Sequence, residues 1–284
     1  MAEGIEMAFH PAGPAELTGV PSAADASASA ADGDIAATGP GAVMARSVLS
    51  TATSLRLRLG DVAVDLIESH VLLPDGTVVL AVDAMSRAGG LLVAVRGRPG
   101  AVRLDVTQLI PVAVRSRVRA RVRVLGTARR FDPASLESCD GDTLLSLLDL
   151  PPVALWVIEP VELGLTRDGG ETTVDISAYR AARPDPLAAD EAVHLQRLAQ
   201  QHSDVLDQLA TLVDPALTTG TARVVPIALD ADGIVLRTEA PDRHTDLRLP
   251  FARRVTAGAG LADELRALLA EAARHGIPGC ARPR

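Results

Sequence analysis

The chain contains no lysine and no asparagine, so all 28 of its basic residues are arginine. Two chemistries go with the lysine: a Schiff-base amine, and the cation of a Walker-type phosphate loop. Aromatic residues make up only 2% of the chain, namely Phe9, Phe131, Trp156, Tyr179 and Phe251. Single-stranded nucleic acid is held by stacking bases on such rings. With a net charge of −8 as well, no nucleic-acid partner is expected. Cysteine is limited to Cys139 and Cys280, far apart and in no Cys-x-x-Cys spacing. That excludes a disulfide framework or a zinc cluster and fits a reducing compartment. No apolar run approaches the ~18 residues of a membrane span. No basic region precedes an apolar run near the start, so no signal peptide is expected and the cytoplasm is the expected location. Gly-x-Ser-x-Gly, His-Glu-x-x-His and Gly-x-Gly-x-x-Gly are all missing, which removes the common signatures of hydrolases, zinc proteases and dinucleotide enzymes.

What is present is 48% hydrophobic residues, ample for a core, and an uneven distribution of charge. Residues 44–130 hold fourteen arginines and six acids, whereas residues 132–184 hold three arginines and ten acids. A basic segment followed by an acidic one points first to internal pairing and second to an anion site. The basic segment contains the most informative stretch of the chain, Val114-Arg115-Ser116-Arg117-Val118-Arg119-Ala120-Arg121-Val122-Arg123-Val124. Period two predicts a β-strand with five guanidinium groups on one face, about 6.8 Å apart. Burying even one unpaired charge costs several kcal/mol, against a total stability of about 5–15 kcal/mol. The arginine face must therefore be wet, paired with carboxylates, or lined by an anionic ligand. Arginine suits phosphate and carboxylate because its planar fork binds two oxygens at once. The anion contacts are either Arg115 and Arg117 or Arg121 and Arg123, depending on which end of the strand opens to a cleft.

Residues 1–43, rich in Ala, Gly, Ser, Asp and Pro, read as a disordered acidic tail. A short helix is expected over Met44–Ser54. Strands follow at Leu55–Leu59, at Val62–Leu72 and, after the Pro74-Asp75-Gly76 turn, at Thr77–Val82. A helix over Ser86–Arg96 and a strand over Ala101–Leu109 precede the arginine ladder, which Gly126 interrupts as a bulge. One or two helical turns over Asp142–Leu148 and a strand pair around Asp168-Gly169-Gly170 complete a domain over residues 44–183. About six strands with few helices suggest a barrel. Arg183-Pro184-Asp185-Pro186 marks a boundary, with Asp185 capping a helix that runs to about Val213. Strands at Ala222–Leu229, Ile234–Glu239 and Thr245–Leu249 and a helix over Leu261–His275 follow. The second domain, 184–275, is thus helix, three strands, helix, and 276–284 is a tail.

Among the histidines, His202 falls on the apolar stripe Leu195, Leu198, Val205, Leu209, Leu212, where it is either a hydrogen-bonded core residue or a ligand. His194, eight positions earlier, lies about 80° around the helix and forms no i, i+4 metal pair with it. His275 occupies the last turn of its helix, where the dipole favours a cation. His70 and His244 carry no motif. Asp230-Ala231-Asp232-Gly233 reads as a hairpin turn and not a calcium loop, since its glycine is misplaced and no glutamate follows at the right distance.

Residues 185–270 resemble the C-terminal domain of the HugZ-like haem-utilisation proteins, which the plastid glutamyl-tRNA-reductase-binding protein shares. The resemblance rests on Leu229-Asp230-Ala231-Asp232-Gly233, on Leu247-Arg248-Leu249-Pro250-Phe251, and on the helix ending in His202. That helix has Arg197, Ala199 and Gln201 where the family's His-x-Asn-x-Asp-His signature has His, Asn and Asp. Residues 44–183 are similar to the flavin-binding split barrel that precedes this domain in the family. The resemblance implies an α+β chain with a split barrel, acting as a cytoplasmic homodimer in iron utilisation. It further implies haem as cofactor, with haem degradation in some members, and FMN as the alternative. A pyridoxamine-phosphate-oxidase type of oxidoreductase, or a non-catalytic regulator with a protein partner, are the other activities it admits. On this reading the cofactor-binding residues are Arg115, Arg117, Arg121, Arg123 and His202, with propionates on Arg121 and Arg123 and His275 as the iron ligand.

Overall fold

The computed structural model describes residues 39–213 and 223–275. Residues 1–38, most of the expected acidic tail, lie outside that range, as does the tail 276–284. The first element, α1 (Pro40–Thr51), begins earlier than expected, with proline in its first turn, where a missing N–H costs nothing. Strand β1 (Ser54–Leu59) alternates as read, Leu55, Leu57 and Leu59 buried and Arg56 and Arg58 outward. It turns through Gly60, at φ 60°, into β2 (Val62–Ile67). The strand expected to continue to Leu72 does not: Glu68 adopts a left-handed φ of 46°, and β3 (His70–Leu72) leaves to pair with β4 (Val78–Val82). After α2 (Arg87–Val95), capped by the Ser86 hydroxyl, come β5 (Val102–Leu109) and β6 (Val118–Arg130). A 3-10 turn (Pro133–Ser138) and α3 (Gly141–Leu148) lead to β7 (Ala154–Arg167), β8 (Gly170–Val174) and α4 (Ile176–Ala181).

These eight strands, rather than about six, form one antiparallel sheet in the order β2-β1-β5-β6-β7-β4-β3, with β8 paired to the second half of β7. The two end strands of that path are consecutive in the chain, separated by Glu68 and Ser69 alone. The sheet must therefore curl until its edges nearly meet, which makes it a split barrel. Gly126 does interrupt the ladder strand: the β6–β7 register shifts there, and a Cβ would stand 2.5 Å from Ile158 Cγ2. The inner leucines and valines, with Ala45, Val48 and Leu49 of α1, form the main core. Strand β4 is buried on both faces, Leu80 inward and Val79 and Ala81 against Leu147 of α3.

The remaining elements are α5 (Glu191–Gln201), α6 (Ser203–Ala210), β9 (Arg223–Asp230), β10 (Gly233–Glu239), β11 (His244–Pro250) and α7 (Gly258–His275). The three strands form a second antiparallel sheet, β11-β10-β9, on its own apolar cluster. The single helix expected from Pro186 is absent. Asp185 instead caps a turn, accepting the Leu187 N–H at 2.9 Å, and the helix starts at Glu191. It then breaks at His202, whose φ of −133° and ψ of 49° leave helical space, so the stripe is carried by two short helices.

The arginine ladder also needs correction. Its strand begins at Val118, and Arg115 and Arg117 lie in the connector that precedes it. The physical cause is apolar: Ile110, Val112 and Val114 are buried in the second cluster, which draws the connector off the sheet. Polar bonds fasten it there. Arg237 donates to Ser116 O at 2.8 Å, Arg223 to Ala113 O at 2.7 Å, and the Arg115 N–H to Glu239 at 3.1 Å. Among the described residues, no helix is long and apolar enough to cross a membrane.

Candidate anion site on the outer barrel face

Arg119, Arg121 and Arg123 share the face of β6 opposite Ala120, Val122 and Val124, which are buried in the core. Their surroundings differ. Arg119 pairs with Glu191 of α5, and that carboxylate also accepts the Leu229 N–H at 2.8 Å. Burial pushes the Glu191 carboxyl above its ordinary range, against the pull of Arg119. Arg121 and Arg123 instead open onto a concavity of about 850 Å³ across β1, β2, β5, β6, β7 and β8.

Period two on each strand builds this surface. Among the outward residues are Arg56 and Arg58 of β1, Asp65 of β2, Arg103 and Asp105 of β5, Arg121 and Arg123 of β6, Thr166 of β7 and Glu171 of β8. Cross-strand pairing sets them against one another: Arg56 stands opposite Asp65 and Asp105, and Asp105 opposite Arg123. Arg56 grips Asp65 through two bonds of 2.7 and 2.8 Å, which hold that carboxyl below its ordinary range. Asp105 accepts from Arg58 Nε at 2.8 Å and from Arg103 Nε at 2.8 Å. Arg123 meets Glu171 at 2.7 Å and Glu162 at 3.6 Å. The Arg121 side chain has no ion pair or hydrogen bond among the described residues, and the residue is exposed. The lining thus carries five arginines against three acids, with one guanidinium uncommitted. Such an arrangement can hold an anion; it contains no nucleophile–base pair.

Of the residues singled out from the sequence, the fold brings Arg121 and Arg123 together here. Arg115 bonds to Pro241 O and Arg117 weakly to Ile110 O, both in the connector. His202, at the α5–α6 break, and His194, on α5, are not among the lining residues. His275 ends α7, and its side chain lies outside the described residues. His70 lines a separate concavity of about 530 Å³ with Leu49, Glu68, Leu72 and Asp149. Burial lowers its pKa, and its Nδ1 is buried without a partner. Sequence reading missed Arg56, Arg58, Arg103, Asp105 and Glu171. The first four had a signal, since Arg56-Leu57-Arg58 and Arg103-Leu104-Asp105 alternate as the ladder does. Among the described residues, no cluster of three or more His, Cys, Asp or Glu side chains is placed to hold a metal ion.

No family model matches the chain. A haem-binding protein of Mycobacterium smegmatis has a similar solved structure, with a TM-score of 0.57 at 21% identity, over 83% of this chain and 98% of that one. That likeness supports the split-barrel fold. An FAD-binding protein of the same organism shares 16% identity over 42% of this chain and 88% of that one, at a TM-score of 0.29. An uncharacterised Arabidopsis thaliana protein is 28% identical over 118 residues, 41% of this chain. The match spans about a quarter of that relative's length, 24%.

Proposed function

We propose that this chain binds haem on the outer face of its split barrel and holds the propionates through Arg121 and Arg123. The observation that carries the reading is Arg121: an uncommitted guanidinium in a concavity where Arg56, Arg58, Arg103 and Arg123 are each matched to a carboxylate. The M. smegmatis neighbour of the same fold, described as haem-binding, supports it. The fit covers the carboxylates and not the iron. The lining supplies arginine forks for propionates but no histidine, cysteine, methionine or tyrosine, so the reading is one of binding through the anionic groups alone. Titration of the purified protein with hemin is expected to give a saturable Soret shift. Arg121→Ala is expected to weaken binding about tenfold, the loss of one charge-assisted contact. A spectrum that matches free hemin throughout overturns the reading.

One observation favours a second ligand, flavin mononucleotide. Its phosphate needs the arginine fork and no iron ligand, which is what the lining offers. FMN-dependent thermal stabilisation, lost in Arg121→Ala, with a hemin spectrum unchanged by the protein, selects this reading over the first.

A further inference from the structure

Arg123 does not rise from the sheet into open solvent. Its neighbour across the β6–β7 ladder is Gly164, where a Cβ would stand 3.2 Å from Arg123 Nη2 and 3.0 Å from Glu171 Oε1. The missing side chain lets the guanidinium lie over bare backbone and reach the next strand, where Glu171 takes it at 2.7 Å. Glu171 sits on β8, a five-residue strand that pairs with β7 alone. Both side chains stay in reach of water, Arg123 35% and Glu171 50% exposed. A pair so exposed is weakly held, so an incoming anion can break it. The fork that holds a carboxylate of Glu171 is the fork that would hold a propionate or a phosphate. Two residues along the same face, Arg121 has no such occupant.

We infer that Glu171 is a built-in competitor for the anionic ligand, seated on Arg123 until a ligand bearing a second negative charge displaces it. The inference rests on the reading of the concavity as the cofactor site. A first anionic group lands on Arg121 without competition. A second reaches Arg123 only by replacing Glu171, which then turns into solvent. The carboxylate thereby sets a threshold: ligands with two negative charges, such as the paired propionates of haem or the phosphate of FMN, pass it, and single carboxylates do not.

The test titrates hemin and FMN, separately, into the full-length wild type and into Glu171→Gln, Glu162→Gln and Arg121→Ala. Absorbance reads the hemin series and flavin fluorescence the FMN series. Glu171→Gln keeps the side chain's size and removes its charge, and is expected to tighten binding about fivefold, the worth of one exposed ion pair. Glu162→Gln, whose carboxylate stands 3.6 Å away, is expected to change affinity by less than about twofold. Wild-type binding that Arg121→Ala weakens, with Glu171→Gln equal to or weaker than wild type, overturns the competitor and leaves the site standing. Equal tightening by Glu162→Gln and Glu171→Gln reduces the effect to general charge and also overturns it. Binding that appears only in Glu171→Gln overturns the threshold, because neither doubly charged ligand then displaces the carboxylate from Arg123. Failure of both ligands to bind any of the proteins overturns the site and the competitor together.

Discussion

Arg121 and Arg123 are two residues apart on one strand, yet Arg123 rests on Glu171 and Arg121 meets no acid. Alternation alone shows that their side chains share a face. It does not show which acids the neighbouring strands bring, because Glu171 lies 48 positions later and arrives only through the β7–β8 pairing. A second residue-scale feature had no sequence signal at all. Arg46 of α1 is 1% exposed and bonds to Leu73 O at 3.2 Å and Pro74 O at 2.6 Å. Its guanidinium lies 5.3 Å from the centre of the Tyr179 ring, a cation–π contact. The Tyr179 hydroxyl in turn donates to Gly76 O at 2.8 Å, so α1 and α4 clasp the 73–77 turn between them. Burial pushes the Tyr179 hydroxyl up from 10.0 to about 12. The folded protein thus favours the protonated ring more than the unfolded chain does. This contribution to stability, about 2–3 kcal/mol, is complete below pH 10 and is lost as the pH rises from 10 to 12. Tyr179 is the chain's one tyrosine, so phenolate absorbance reports it alone. The native protein is expected to titrate near pH 12 and the urea-unfolded chain near 10; a native midpoint near 10 would mean the clasp does not form.

Elements were most legible where a local residue pattern decided them. The β1–β2 hairpin, the Ser86-capped helix, the bulge at Gly126 and the three strands from Arg223 to Pro250 all follow from alternation and turn residues. They were least legible where burial elsewhere overrode the pattern, as in the connector holding Arg115 and Arg117 and in the helix that breaks at His202. The Arg119–Glu191 pair belongs to this second kind, since it joins β6 to α5 and through Leu229 to β9. Its side chains are 16% and 10% exposed, so neither charge can turn to water if the other is removed. Arg119→Met alone strands a buried carboxylate and is expected to cost about 3–5 kcal/mol in urea denaturation. Adding Glu191→Met removes that charge, and the double variant is expected to recover at least half of the loss, the Leu229 N–H remaining unpaired. Equal stability of the Arg119→Met and double variants would show that the stranded Glu191 carboxylate is not the source of the loss.

At the scale of the whole molecule, the fold turns on a two-residue step. Strands β2 and β3 read as one strand from Val62 to Leu72, and the sequence pattern gives no sign that the chain changes edges at Glu68. The signal was hidden because Glu68 is not glycine, although it occupies a left-handed φ of 46°. The barrel fixes that conformation from both sides: the Glu68 N–H donates to Thr53 O at 2.8 Å, and Ser69 O accepts from the Ala81 N–H at 2.8 Å. These bonds tie the step to the residue just before β1 on one side and to β4 on the other. A non-glycine residue held there is strained by about 1–2 kcal/mol. Glu68→Gly relieves the strain but loosens the unfolded chain, which offsets part of the gain, so a net stabilisation of about 0.5–1 kcal/mol is expected. Glu68→Val moves the other way and is expected to cost more than 1 kcal/mol, roughly, because a β-branched side chain tolerates that φ least. If closure of the barrel depends on this step, slower-exchanging amides of β3 and β4 in Glu68→Gly and faster ones in Glu68→Val accompany the stability changes. Exchange that is unchanged at Ala81 and Ser69 in both variants would place the closure of the sheet elsewhere.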